Sequence, residues 1–308
     1  MSRRKLFAEM LKDAKEQNFG YIGKGNIEAK ILVIGKEIAT PETDTETLNE
    51  YRDNLKQWER DIDKDVWDIP LRDRSKYSPV CPYKGQYMKR DDGQGNWGTS
   101  RTWLLYQKLH NYIFGASYNR INFHKNFFIT EQNDNPSPKA KDAKTDGLAE
   151  RKHFIKNSEY FQSFPIVVLA GLGYYKISET HNDIEDMFGV KFTEKKIVDD
   201  NEKQCYWTHW NENKTKLVIN VRQLSMNVSD NLIAQIASEI AEIDCDLTEE
   251  EADVNESAKK RWENGGKEIH TKHQEVGEEF ENADEYKDYM TWVRVSPNKV
   301  LGELFKIT

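Results

Sequence analysis

The sequence predicts an α/β domain on a mainly parallel sheet, followed by a polar extension. Three observations predict it. Short continuous apolar runs recur: ILVI at 31–34, NFFIT at 126–130, FPIVVLA at 164–170 and LVINV at 217–221. Each has the length and composition of a strand buried on both faces. Segments of helical spacing separate the runs, which is the pattern of a largely parallel sheet. Each run also opens into a polar or glycine-bearing segment: GKEIATP, TEQNDNPSP, GLGYY and RQLSMNVS. In open α/β sheets, ligands bind in the crevice beyond the carboxyl ends of the strands.

The elements follow in order. Leu6, Phe7, Met10, Leu11 and Ala14 lie at helical spacing within residues 3–17, so one stripe of that helix is apolar. Phe19, Gly20, Tyr21, Ile22 and Gly23 approach the first strand. After Gly35, Thr45 and Thr47 are the N-cap candidates for a helix carrying Leu48, Tyr51, Leu55 and Trp58. Residues 61–97 show no period; they mix Pro70, Pro79 and Pro82 with basic residues and with Trp67, Tyr77, Tyr83, Tyr87 and Trp97. A loop of that length in a compact domain is commonly functional. Its aromatics suit base stacking and, equally, packing on the sheet. Thr99 or Ser100 caps the next predicted helix, with Trp103, Leu104, Leu109, Tyr112 and Ile113 on its apolar face. Residues 147–161 read as a helix. Gly171-Leu172-Gly173 leads into another that carries Tyr174 and Tyr175, residues 205–210 read as a strand, and Ser229 or Asp230 caps a helix over 232–243.

The 308 residues suffice for one large domain with an appendage. Hydrophobic residues make up only 37% and charged residues 32%, which indicates a globular part diluted by a polar one. Net charge places the boundary. Residues 245–308 hold 9 Lys+Arg against 16 Asp+Glu, a balance of −7, and leave 36 against 37, or −1, for residues 1–244. The expected division is a domain over 1–244 and an acidic, mostly helical extension over 245–308. The extension ends in Trp292, Val293, Leu301, Leu304 and Phe305, which need a surface to cover. No run of 18 apolar residues occurs, so no membrane span is expected. The first residues lack the apolar stretch of a signal peptide. Cys81, Cys205 and Cys245 form no C-x-x-C pair, and His124, His153 and His209 have no metal-ligand spacing. A cytoplasmic protein with neither metal nor cofactor is the expectation.

The order and wording of the four crevice segments resemble the uracil-DNA glycosylase superfamily, over roughly residues 20–244. The stretch YIGKGNIEAKILVIGKE resembles a divergent bacterial branch of it. The resemblance implies a three-layer α/β/α domain around a central, mainly parallel four-stranded sheet, and DNA, single- or double-stranded, as partner. The family's first loop carries Gly, any residue, then a water-activating Asp. Here it reads Gly35, Lys36, Glu37, so a carboxylate is kept, while Ile38-Ala39 replaces the usual Pro-Tyr or Pro-Gly. Glu131 stands where the family's strand ends in a base-reading Asn, with Gln132 and Asn133 behind it. The family's last-loop His is missing, and Arg222, Gln223 and Ser225 occupy its region. The implied assignment is therefore Glu37 and Arg222 as catalytic residues. Glu131, Asn133 and Gln223 are the base-binding residues, and Gly35, Lys36, Ser225 and Arg101 contact DNA.

The replacements have chemical consequences. Glycosidic cleavage leaves positive charge on the sugar and negative charge on the departing base. Glu37 is placed for the first and Arg222 for the second. An ionised Glu131 only accepts hydrogen bonds, so it suits an amino group such as that of cytosine and repels the carbonyls of uracil. The expected reaction is hydrolysis of the N-glycosidic bond of a non-uracil, modified base. Two other readings stand beside it: an inactive nucleic-acid-binding module on the same fold, and a nucleotide or nucleoside hydrolase. Residue by residue the plainer roles are a cap or salt bridge for Glu131, a phosphate contact for Arg222 and a strand-to-helix turn for Gly171-Leu172-Gly173.

Overall fold

The computed structural model describes residues 1–40, 43–63, 78–80, 100–115, 121–137, 142–178, 180–225 and 227–243. The 245–308 extension, and nearly all of the 61–97 loop, lie outside the described residues. Two compact units divide the chain: Met1–Lys84 with His124–Val228, and Gly85–Phe123 with Ser229–Thr308.

In the first unit, helix α1 (Arg3–Glu16) starts at Ser2, whose hydroxyl accepts from the Lys5 amide, and buries Phe7, Met10, Leu11 and Ala14. The short strand β1 (Lys24–Gly25) and β2 (Ile31–Gly35) follow. Next come α2 (Thr45–Arg52) and α3 (Asn54–Asp61). Asp44, not Thr45 or Thr47, caps α2 by accepting from the Thr47 amide. In the second unit lies α4 (Arg101–Phe114), capped by Ser100 and ended by Gly115 in the left-handed region at φ 58°. The first unit resumes with β3 (Phe127–Glu131), α5 (Leu148–Asn157), α6 (Glu159–Gln162), β4 (Ile166–Leu169) and α7 (Asp183–Phe188). It closes with β5 (Lys191–Val198), β6 (Asn201–Trp210) and β7 (Leu217–Val221). In the second unit α8 (Asp230–Ala241) begins at Ser229 and packs on α4, with Lys108 and Asp230 paired at 2.7 Å.

The sheet corrects the four-strand expectation. Among the described residues it has seven strands, in the order β1-β3-β2-β4-β7-β6-β5. The four apolar runs form its parallel middle, β3-β2-β4-β7. β1 joins β3 antiparallel, and the β5–β6 hairpin adds antiparallel to β7. β5 escaped the sequence pattern because Lys191, Glu194, Lys195 and Lys196 leave it with no apolar run and it is exposed on nearly its whole length. Residues 147–161 are not one helix: the chain breaks at Ser158, which caps α6. The helix expected at Tyr174 is a turn, because Gly173 adopts φ 96° and the next helix starts only at Asp183.

One sheet face carries Leu32, Ile34, Phe128, Val167, Leu169 and Val218 into a core with Phe7, Trp58, Tyr160, Phe161 and Phe164. Phe7 lies edge-on to both Trp58 and Tyr160, with ring centroids 4.8 Å away in each case. The other face, with Ile31, Val33, Ile129, Ile166, Val168 and Ile219, is buried as well. Burial on both faces is why these strands read as unbroken apolar runs. Among the described residues no helix is long and apolar enough to cross a membrane.

Candidate active site

Within the parallel middle, the first strand in the chain, β2, lies between the second, β3, and the third, β4. The chain thus reverses its direction of winding between β2 and β4, and in open α/β sheets ligands bind at such a switch point, beyond the carboxyl ends of the strands. The segments after β2, β3 and β4 meet there. Gly35 pairs in register with Glu131. Gln132 N donates to Gly35 O at 2.9 Å and Asn133 N to Lys36 O at 2.7 Å. Ser137 N donates to Ile38 O, and Thr40 N to Ser137 O. The post-β2 and post-β3 segments are therefore laced by main-chain bonds, which gives the side chains between them a firm base.

Gly35 is required by its neighbour. A Cβ on this residue would stand 2.1 Å from Glu131 Oε2, so the carboxyl group occupies the space a side chain would need. The Glu131 residue is half-buried, yet its Oε2 is buried and has no hydrogen-bond partner among the described residues. Burial is the main cause that pushes the Glu131 carboxyl up to about 8, and the Glu37 carboxylate adds to it, while Arg151 and Lys24 oppose it. At neutral pH Glu131 is mainly a neutral acid, with one O–H donor and one carbonyl acceptor. That corrects the acceptor-only reading. Desolvation of the charge outweighs the two cations, neither of which bonds to the carboxyl group. Lys24 is paired with Glu50 in the interior. Arg151, fully buried, donates to Glu131 O at 3.3 Å and to Thr130 Oγ1 at 2.8 Å, with its guanidinium over the Phe19 and Phe154 rings.

Glu37 is 5% exposed, and its Oε2 accepts a hydrogen bond from the Tyr174 hydroxyl. Burial and that bond push the Tyr174 phenol up to about 12, against a lowering contribution from Asn133. The Tyr175 hydroxyl donates to Gln132 Oε1 at 2.9 Å, which fixes the amide and leaves the buried Gln132 Nε2 with no partner among the described residues. Lys36 lies across the Gly171–Tyr175 turn, its Nζ 5.0 Å from the centre of the Tyr174 ring.

The structure thus brings Gly35, Lys36, Glu37, Glu131 and Asn133 together. The Asn133 amide is occupied at both ends: Nδ2 donates to Lys144 O and Oδ1 accepts from Asn135 N. Arg222, Gln223 and Ser225 follow β7 on the same sheet edge, two strands from β2, or about 10 Å at the usual strand spacing. The Arg222 guanidinium donates to Lys203 O at 3.1 Å. Ser225 N donates to Gln223 O in a tight turn. Arg101 is the first residue of α4, exposed, in the second unit. The sequence reading missed Tyr174, Gln132, Arg151 and Lys24 as site residues. The glycine-bearing turn was the available signal for Tyr174.

Open cavities of about 740, 460 and 560 Å³ surround the segment 180–186, and none of their lining residues belongs to the carboxylate cluster. Their charges are largely paired, as in Lys152–Asp183 at 2.6 Å and Lys156–Asp186 at 2.7 Å. The switch point, where buried polar atoms stay unsatisfied, is the stronger candidate. Among the described residues no group of His, Cys, Asp and Glu is placed to hold a metal ion. No family model, curated protein or solved structure matches the chain.

Proposed function

We propose that the chain is a DNA glycosylase-like hydrolase that releases a non-uracil, modified base by cleaving its N-glycosidic bond. The three-layer α/β/α arrangement of the uracil-DNA glycosylase type belongs to the same proposal. The observation that carries it is the pairing of two carboxyl groups at the switch point: Glu37, tied to Tyr174, and Glu131, held mainly neutral over Gly35. A carboxyl group held neutral beside a second carboxyl group is a common way to divide two chemical roles between acids.

The mechanism follows from those roles. The target nucleotide leaves the base stack and enters the crevice. The bond between C1′ and the base nitrogen breaks with its electron pair going to the base. Glu37 stabilises the positive sugar and takes a proton from the attacking water. Tyr174 holds the Glu37 carboxylate in one orientation. Neutral Glu131 donates to a ring nitrogen and accepts from a neighbouring amino group, as a cytosine-type edge offers. Once ionised it still accepts from the amino group, whereas a uracil edge loses one of its bonds and meets repulsion. Arg222, on the same edge, contacts the departing base or a flanking phosphate.

Base release from duplexes carrying uracil or modified cytosines tests the reading. Above about pH 8, where Glu131 is ionised, little release of uracil is expected from the wild type. Glu131→Asn, whose amide keeps donor and acceptor at every pH, should shift release towards uracil. Robust uracil release by the wild type above about pH 8 overturns the assignment of Glu131.

A further inference from the structure

We propose that Lys36 is an imine-forming nucleophile, and that the crevice also accepts the ring-opened aldehyde of an abasic deoxyribose and cuts the strand beside it. The inference rests on the glycosylase reading and extends it to a second activity, strand cleavage by β-elimination.

The path of the Lys36 side chain is the first observation. Its Cγ lies 3.9 Å from the position a Cβ on Gly171 would take, and its Nζ 4.0 Å from that of Gly173. Both are ordinary van der Waals distances, so the stem and the amine run alongside the Gly171–Gly173 turn. Its surroundings are the second. Lys36 is half-buried, and its amine rests on the face of Tyr174, whose hydroxyl is committed to Glu37. Lys15, Lys24, Lys152, Lys156 and Lys191 each pair with a carboxylate. Lys36 makes no ion pair among the described residues, so no carboxylate competes with a substrate for its nitrogen. Its place beside Glu37 is the third. An amine and a proton acceptor on consecutive residues, both at the Tyr174 side chain, are the two groups an imine route needs.

The chemistry balances. Release of a base leaves a sugar whose ring-opened form carries an aldehyde at C1′. The Lys36 nitrogen lone pair bonds to C1′, and the carbonyl electron pair moves to oxygen. The carbinolamine loses water to give a protonated imine. Glu37 then takes a proton from C2′. The electron pair of that C–H bond forms a C2′–C3′ double bond, and the C3′–O bond breaks with its pair going to the departing phosphate. Water hydrolyses the imine and returns Lys36. No oxidant or reductant takes part.

The test uses the full chain and a duplex in which one abasic site has been made beforehand, so that no base release is needed. Sodium borohydride reduces the imine to a stable amine. The expected result is a covalent protein–DNA adduct whose tryptic map places the link at Lys36, together with strand cleavage when borohydride is left out. Lys36→Arg keeps the charge, cannot form the imine and should lose both. An adduct mapped to another lysine, or an undiminished adduct with Lys36→Arg, overturns the proposal. So does binding of abasic DNA with no adduct, and that outcome leaves the glycosylase reading standing. Failure to bind the abasic duplex at all removes both.

Discussion

Ionisation of Glu131 should make folding stability fall as pH rises, and Glu131→Gln should abolish that fall. Burial and the nearby Glu37 charge raise the folded-state carboxyl from an ordinary 4.5 to about 8. The folded protein binds this proton more tightly than the unfolded chain does. Between the two values the unfolded state holds fewer protons, so stability decreases with pH. The contribution is complete below about pH 4.5 and is lost as pH rises through about 8. At about 1.4 kcal/mol per pH unit, the loss from pH 5 to pH 8 is about 4 kcal/mol. Urea unfolding at half-unit pH steps measures it. The wild type should become less stable across this window. Glu131→Gln, of nearly equal volume and never charged, should lose this fall and exceed the wild type above pH 8. Glu37→Gln removes the neighbouring charge, so the fall should end at a lower pH. A wild-type profile flat from pH 5 to 8, or an equal fall in Glu131→Gln, would refute the reasoning.

Two further substitutions probe the same cluster. Gly35→Ala places a methyl against Glu131 Oε2 and should cost about 1–3 kcal/mol, the usual penalty of overpacking; thermal melts should show part of the loss recovered in the double variant with Glu131→Ser, and no recovery would separate the two residues. Tyr174→Phe removes the hydroxyl that donates to Glu37, a charge-assisted bond of about 1.5–3 kcal/mol; it should lower kcat for base release more than it raises KM, and an unchanged kcat would show that Tyr174 does not position Glu37.

The parallel middle of the sheet was legible because each of its strands is buried on both faces, so the apolar run itself marks the element. Leu217–Val221 coincides with the reading from residues alone. The β5–β6 hairpin was only half legible, since β6 has buried residues and β5 is a solvated edge strand bearing lysines. Such edges resist pairing with other chains, and their polarity hides them from pattern reading. That Gly35, Lys36, Glu37 and Glu131 come together at one end of the sheet was legible because each follows or ends a parallel strand. Three things were not. The charge state of Glu131 depends on burial by residues distant in sequence. Tyr174 reaches Glu37 only because β4 is the neighbour of β2. Arg222 turns to the Lys203 carbonyl on a hairpin that reading in terms of parallel strands does not include.

Base release by the wild type and by Glu37→Gln, on one panel of duplexes with modified cytosines and uracil, tests the central claim most directly. Alkaline strand cleavage reads each abasic site formed. The wild type should release at least one non-uracil base, and Glu37→Gln should be slower by about 100- to 1000-fold, the common loss when one electrostatic group is removed. No release from any duplex, or equal rates for the two proteins, would contradict it.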